Sequence, residues 1–194
     1  MKKVVFALMV LLMFSCVAGA AEKSKTLVAV FSRADENYSV GFIEKGNTRI
    51  IAEMIAEQTG ADLFEIRAAN PYPKDYKECT DVAQKELNAN ARPALAEDKD
   101  IAGYDTIFLG YPVWWGELPM AVYTFLEAHD FKGKTVVPFA THEGSGMGRT
   151  EGSLRRAIPA AKVLKGLAIR GATAQNSRES ARKSVSSWLS GLGF

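Results

Sequence analysis

Short apolar runs alternate along the chain with longer segments in which apolar residues recur every three or four positions. The first run, residues 26–32, is almost continuously apolar and is therefore typical of a strand buried on both faces. Asn47 is predicted to cap the helix that follows, and Gly60 is predicted to end it. The pattern thus opens with a strand followed by a helix.

The same alternation continues to the end of the chain. Further strands are predicted over residues 62–67, 105–110, 135–140 and 163–169, and further helices over residues 75–90, 119–129, 150–158 and 177–192. Pro138 lies inside the fourth strand, where its missing N–H predicts irregular hydrogen bonding. Because each parallel connection needs a crossover, the alternation predicts a three-layer α/β fold, with a five-stranded parallel sheet and helices on both faces.

The N-terminus has the features of an export signal. Lys2 and Lys3 precede an apolar run over residues 4–14, and small residues suited to cleavage follow that run. The run is too short to span a bilayer. We therefore predict a signal peptide over residues 1–20 and a single domain over residues 21–194, exported to the periplasm or secreted.

Cys16 gives an alternative account of the same segment. A cysteine near the end of an apolar run is typical of a lipoprotein signal, in which the lipidated cysteine becomes the first residue. Met13 and Phe14 fit such a signal poorly, so simple cleavage is favoured over a lipid anchor at Cys16. An uncleaved buried helix is the third and least favoured reading.

Charge and cysteine content narrow the function classes. The formal net charge is +2, and loss of Lys2 and Lys3 with the signal peptide would leave the domain neutral. A neutral domain indicates no nucleic-acid partner. Cys79 would then have no disulfide partner within the chain, so we interpret it as a small, partly buried apolar residue without a catalytic role.

The loop after the first strand has groups that suit a phosphate. In parallel sheets of this kind, ligands bind beyond the carboxyl ends of the strands. Ser32 and Arg33 end the first strand, and Asn47 and Thr48 open the first helix, where hydroxyls, an amide and backbone N–H groups can form an anion cradle. Neither GxxxxGK[ST] nor GxGxxG is present. Plain helix capping is the alternative interpretation.

The loop after the third strand contains two adjacent tryptophans. Pro112 and Pro119 stiffen its ends, and Gly116 permits backbone conformations closed to other residues. Neighbouring side chains point in different directions, so one of Trp114 and Trp115 can serve the core while the other faces outward. An indole held in this way can stack on a planar heteroaromatic ring, and an aromatic cap on the core is the alternative.

The loop after the fourth strand is rich in glycine. Glycines at alternate positions between Gly144 and Gly148 indicate backbone that closely approaches a ligand, although a merely flexible loop has the same composition. His142 precedes them, and we interpret it as a hydrogen-bonded loop histidine rather than a metal ligand, because no suitable ligand spacing accompanies it.

Together these loops resemble those of the flavodoxin-like family, from about Lys25 onward. The likeness is greatest to the branch with a long insert in the phosphate loop and a Pro-Val-Trp-Trp-Gly stretch. The resemblance implies the sheet order 2-1-3-4-5 and FMN as cofactor, with its phosphate at Ser32, Arg33, Asn47 and Thr48. It also implies that the flavin ring lies between two loops, formed by Pro112, Val113, Trp114, Trp115 and Gly116 and by Thr141, His142, Glu143, Gly144, Ser145 and Gly146.

The resemblance further implies redox chemistry. Trp115 and Gly116 match a stacking aromatic and a glycine whose peptide carbonyl turns toward the reduced ring, which favours one-electron transfer. We therefore predict electron transfer to a redox partner protein or a small-molecule acceptor, and we assign no catalytic residue or metal ligand.

Two departures from the family keep other functions open. The domain is neutral where electron carriers of the family are acidic, and Gly146 and Met147 stand where a second stacking aromatic is common. One ring face would then be open to a substrate. The alternatives are accordingly an FMN-dependent NAD(P)H:quinone-type oxidoreductase and a flavin-free module that binds a small ligand.

Overall fold

The computed structural model describes residues 25–194. The elements in chain order are β1 (Thr26–Phe31), β2 (Asp35–Asn37), β3 (Gly41–Ile43), α1 (Asn47–Thr59), β4 (Asp62–Ile66), α2 (Tyr76–Asn88), β5 (Thr106–Pro112), α3 (Met120–Ala128), β6 (Thr135–His142), α4 (Thr150–Ala157), β7 (Lys162–Val163), β8 (Leu167–Arg170), α5 (Gly171–Asn176) and α6 (Arg178–Leu192). The predicted signal peptide and Cys16 lie outside the described residues. Within residues 25–194, no helix combines the length and the apolar character needed to cross a bilayer.

The main sheet is parallel and has the predicted order. Its strands lie in the order β4-β1-β5-β6-β7, and β8 pairs with β6 beyond β7 along the same edge. The predicted fifth strand is therefore present as two segments, and the sheet order corresponds to 2-1-3-4-5. This arrangement confirms the predicted α/β fold with helices on both faces.

The edge strand is broken opposite Pro138. Val136 pairs with Val163 and Phe139 pairs with Leu167, so the edge strand contains one more residue than β6 between these two pairings. An extra residue of this kind is a β-bulge. Proline has no N–H for a ladder hydrogen bond, which gives the predicted irregularity its physical cause.

Two apolar cores lie on opposite faces of the sheet. Alternation along β1 sends Leu27, Ala29 and Phe31 to one face and Val28 and Val30 to the other, and all five are almost completely buried. Helices α3 and α4 cover the first face, and α1 and α6 cover the second, through Val122, Phe125 and Leu154 on one side and Ile51, Ile55, Val185 and Leu189 on the other. The continuous apolar run of β1 is thus explained by burial on both faces.

Three local features differ from the sequence-based expectations. The insert after β1 folds into an antiparallel hairpin of β2 and β3, and α5 forms between β8 and α6. The N-cap of α1 is Gly46 rather than Asn47, and Gly46 has no side chain to cap with. A Cβ atom on Gly46 would lie 2.3 Å from Ser32 Oγ, so the close approach of these two loops requires glycine at the position before Asn47.

Candidate functional site

A pocket of about 260 Å³ lies beyond the carboxyl ends of β1, β5 and β6. The strand order reverses here, since β4 lies on one side of β1 and β5 on the other. Most of the predicted site residues line it, namely Arg33, Asn47, Pro112, Val113, Trp114, Trp115, Thr141, His142 and Glu143. Ser32, Thr48, Gly116, Gly144, Ser145 and Gly146 are not among its lining residues, although each belongs to one of the three loops that border it or, for Thr48, to the first turn of α1.

A tight turn after β5 presents the tryptophans. Trp114 and Glu117 exchange two backbone hydrogen bonds, at 3.0 and 2.9 Å. Trp115 and Gly116 are the central residues of the turn, with φ values of 54° and 75°. Positive φ at both central positions is the property of a type I′ turn, and it is unfavourable for a residue as large as tryptophan. The turn therefore holds Trp115 in a strained backbone conformation at the rim of the pocket.

The two indoles have different roles, as the alternation of side chains predicted. Trp114 is half-buried and packs edge-on against Phe31 and Tyr72, with ring centroids 5.3 and 5.0 Å apart. Trp115 is 49% exposed, and its Nε1 donates a hydrogen bond to the Thr80 carbonyl of α2 at 3.0 Å. Both indoles line the pocket, but Trp114 also caps the core, whereas Trp115 is the exposed ring.

Contacts with α4 and the glycine-rich loop hold the turn in place. The Glu117 carboxylate is buried and accepts hydrogen bonds from the Leu118 N–H at 3.0 Å and from Ser153 Oγ at 2.6 Å. The Gly116 carbonyl accepts a hydrogen bond from the Arg149 N–H at 2.9 Å. These contacts fix the conformation that the strained Trp115 backbone alone would disfavour.

Polar groups converge at the other end of the pocket. Ser32 Oγ accepts a hydrogen bond from the Arg49 N–H at 3.0 Å, and the Thr48 and Thr141 hydroxyls lie 2.7 Å apart in a buried pair. Asn47 Oδ1 is buried and has no hydrogen-bond partner among residues 25–194. The backbone N–H groups of Asn47 and Thr48 likewise find no acceptor in that part of the chain. This end of the pocket therefore offers one acceptor and two N–H donors that could bind a ligand.

Arg33 lines the pocket, but its guanidinium is already hydrogen-bonded. It donates to the Pro73 carbonyl from Nη2 at 2.6 Å and from Nε at 3.2 Å, to the Lys74 carbonyl at 2.6 Å, and to the Glu36 carbonyl through Nη1. The group therefore connects the loop after β1 with β2 and with the segment before α2.

His142 organises the glycine-rich loop. Its Nδ1 accepts hydrogen bonds from the Gly144 and Gly146 N–H groups at 2.9 and 3.1 Å. The neutral ring therefore carries its proton on Nε2. Burial lowers the pKa of His142 below its ordinary value; the nearby Glu143 carboxylate opposes this shift, and Arg170 reinforces it. The interpretation of His142 as a hydrogen-bonded loop residue agrees with these contacts.

The pocket also has a wall that the sequence did not indicate. Asn37 and Tyr38 reach it from the β2–β3 hairpin, and α2 contributes Tyr76, Cys79, Thr80 and Ala83. Burial raises the pKa of the Cys79 thiol, with the Arg33 charge acting in the opposite direction, and a raised pKa disfavours the nucleophilic thiolate. The signal that could have revealed this wall is the presence of Tyr38 and Tyr76 in otherwise polar segments.

The fold and the pocket define a doubly wound α/β protein with a ligand pocket at the switch point of its sheet. The model of the flavodoxin family matches residues 25–188. The chain belongs to the flavodoxin family, which confirms the resemblance that its loops indicated. A comparison with curated proteins finds no match.

Solved structures extend the likeness over most of the chain. A candidate flavoprotein of Bacteroides eggerthii is 33% identical, with a TM-score of 0.71 over 88% of this chain and 99% of its own. A candidate flavoprotein of Bacteroides uniformis is 31% identical, with a TM-score of 0.68 over 85% of this chain and 99% of its own. A flavoprotein of Lactobacillus acidophilus, solved in complex with FMN, shares the fold at 22% identity, with a TM-score of 0.61 over 77% of this chain and 95% of its own.

Proposed function

We propose that the protein binds FMN in this pocket and transfers electrons through the bound flavin. The observation that carries the proposal is that one pocket contains both an exposed indole and the N-terminus of α1. Trp115 offers an aromatic ring, while the Asn47 and Thr48 N–H groups offer hydrogen-bond donors at the positive end of a helix dipole. FMN has a planar ring at one end and a phosphate at the other, so each end of the ligand has a matching partner.

The unpaired oxygen at the polar end supports the fit. A buried acceptor without a hydrogen-bond partner costs about 1–3 kcal/mol, and Asn47 Oδ1 is such an acceptor within residues 25–194. A ligand with hydroxyl donors would satisfy this oxygen, and the ribityl chain of FMN carries such donors. The residues that would hold the phosphate are Asn47, Thr48 and Ser32, and those that would border the ring are Trp115, Pro112, Val113, Thr141 and His142.

The chain itself binds, orients and shields the cofactor. When bound, FMN supplies one-electron and two-electron redox chemistry. Trp115 would cover part of the ring, and His142 holds the glycine-rich loop beside the pocket through two hydrogen bonds. The Gly116 carbonyl is occupied by the Arg149 N–H, so turning it toward the pocket would require loss of that hydrogen bond. We therefore expect this carbonyl to respond to the reduction state less freely than an unpaired carbonyl would.

A titration with two flavins tests the proposal. FMN and riboflavin share the ring and the ribityl chain, and only FMN carries the phosphate. The protein should quench the fluorescence of both flavins and should bind FMN more tightly, because the phosphate adds its contacts at the N-terminus of α1. Equal affinity for the two flavins would contradict the phosphate assignment, and failure to bind either would leave a flavin-free binding module.

The electron acceptor separates a carrier from an enzyme. A carrier passes electrons to a redox partner and should oxidise NADPH slowly in its absence. An FMN-dependent oxidoreductase should oxidise NADPH rapidly once a quinone is added. Measuring NADPH oxidation by the flavin-loaded protein, with and without a quinone, distinguishes the two.

We also propose that the protein works outside the cytoplasm. The support is the order of residue types in residues 1–20, where two lysines are followed by an apolar run and then by small residues. Cell fractionation followed by N-terminal sequencing of the mature protein tests this. A mature N-terminus near Ala21 would agree with the proposal, a lipidated Cys16 would indicate an anchored form, and a cytoplasmic protein that retains Met1 would contradict export.

A further inference from the structure

Two exposed tyrosines line the same pocket as Trp115. Tyr38 lies in the turn between β2 and β3, and Tyr76 begins α2. Tyr38 is 62% exposed and Tyr76 is 38% exposed. Their ring centroids lie 6.0 Å apart, and the ring planes are inclined by 33° to each other. We refer to Tyr38 and Tyr76 as the tyrosine wall. Large aromatic side chains that gather at a pocket without being buried are typical of a ligand contact.

Arg33 connects the two elements that carry the wall. Its guanidinium donates to the Glu36 carbonyl in the hairpin and to the Pro73 and Lys74 carbonyls just before α2. Two further bonds reinforce this link, because the Glu36 N–H donates to the Lys74 carbonyl at 3.2 Å and the Tyr76 N–H donates to the Glu36 carboxylate at 3.0 Å. A planar guanidinium with five N–H donors suits such a set of carbonyls, whereas the single ammonium of lysine does not.

Small side chains leave space beside the wall. Cys79 and Ala83 are the buried residues of α2, and both line the pocket together with the tyrosines. Trp115 is held to the same helix through the Thr80 carbonyl. The three aromatic rings line the same pocket of about 260 Å³, and the small side chains of Cys79 and Ala83 leave room there for a flat ligand.

We infer that the tyrosine wall provides a second aromatic contact for a planar ring, and that Arg33 is the positioning residue that holds this wall rather than a phosphate ligand. The inference rests on the proposed function, in which the planar ring belongs to a flavin. The second aromatic contact would come from the β2–β3 hairpin and α2. The sequence instead predicts an open ring face, because the glycine-rich loop lacks a second aromatic residue.

Flavin affinities of variants test the wall. The variant with both Tyr38→Ala and Tyr76→Ala should bind FMN and riboflavin about tenfold more weakly, because two aromatic contacts to the shared ring are lost. Phe42→Ala is the matched control, since Phe42 is 69% exposed on the same hairpin and is not among the residues that line the pocket. Unchanged affinity of the double tyrosine variant for both flavins would overturn the inference that the tyrosine wall contacts the ring.

The role of Arg33 is separated from that of a phosphate ligand by three comparisons. Arg33→Ala should weaken FMN and riboflavin equally, Arg33→Lys should not restore binding, and Arg33→Ala should add little to the loss in the double tyrosine variant. Amide hydrogen exchange should also rise in residues 35–43 and 73–78 of Arg33→Ala. A loss confined to FMN that Arg33→Lys repairs would overturn the positioning role.

The wild-type titration distinguishes failure of this inference from failure of the proposed function. A wild-type protein that binds neither flavin would overturn both. If the wild type binds FMN and the double tyrosine variant binds it equally well, the inference about the tyrosine wall is overturned and the proposed function stands.

Discussion

Replacing Trp115 with alanine and with glycine separates backbone strain from ligand binding. Trp115 has a φ of 54° in the turn after β5 and is 49% exposed, so its side chain stabilises little core. Both substitutions remove the indole and its hydrogen bond to the Thr80 carbonyl. Only glycine also relieves the positive φ, because it has no Cβ atom.

The expected magnitudes follow from that geometry. Positive φ costs a residue with a Cβ about 1–2 kcal/mol, and this cost persists in Trp115→Ala. Glycine loses about 0.5–1 kcal/mol more backbone entropy on folding than alanine. Trp115→Gly should therefore be more stable than Trp115→Ala by about 0.5–1 kcal/mol. Both variants should bind FMN about fivefold more weakly than the wild type, since loss of one aromatic contact costs about 1 kcal/mol.

Two measurements check these expectations. Urea unfolding without flavin gives the difference in free energy of unfolding between Trp115→Ala and Trp115→Gly, and quenching of FMN fluorescence gives the affinities. Equal stability of the two variants would refute the strain that we assign to the turn. Wild-type affinity for FMN in both variants would show that the flavin ring does not contact residue 115.

Three further substitutions test other parts of the site. Thr48→Ala should weaken FMN more than riboflavin, with Thr48→Ser as the control that keeps the hydroxyl, and equal losses would exclude Thr48 from the phosphate site. Gly148→Ala should lower the free energy of unfolding by well over the roughly 1 kcal/mol expected for Gly146→Ala, because both glycines have positive φ but only the Gly148 Cβ would meet the Gly116 carbonyl, at 2.7 Å; similar losses in denaturation would contradict this. The folded-state pKa of His142 is lowered, so its contribution to stability is complete above its ordinary value of 6.5 and is lost as pH falls through the folded-state pKa. Asparagine does not titrate in this range, so the free energy of unfolding of the wild type minus that of His142→Asn should decrease from neutral to mildly acidic pH. A difference that stays constant across that range would contradict this expectation.

The sheet and its pocket were predictable from the sequence because their signals are local. The apolar run that became β1 is buried on both faces, and the alternation of short runs with helix-spaced segments required crossovers. The adjacent indoles were likewise informative, since neighbouring side chains diverge in any regular backbone. Trp114 packs against Phe31, and Trp115 is the more exposed of the two, as that rule indicated.

The wall of the pocket depends on contacts between distant segments, which the pattern does not record. The strands of the β2–β3 hairpin have only three residues each, Asp-Glu-Asn and Gly-Phe-Ile, and positive φ occurs at Asp35 and Ser39, which are not glycines. Such strands have no periodicity to recognise. Arg33 suggested a phosphate ligand beside Ser32, and only the fold brings it to the carbonyl of Pro73, forty residues away.

A visible absorption spectrum tests the central claim most directly. The purified protein is incubated with FMN, desalted and scanned, and the released cofactor is identified after denaturation. We predict retained flavin bands at close to one FMN per chain, with the released compound carrying its phosphate. A colourless protein that also leaves the fluorescence of added FMN unquenched would contradict FMN binding. The fold of the chain and its place in the flavodoxin family would be unaffected by that result.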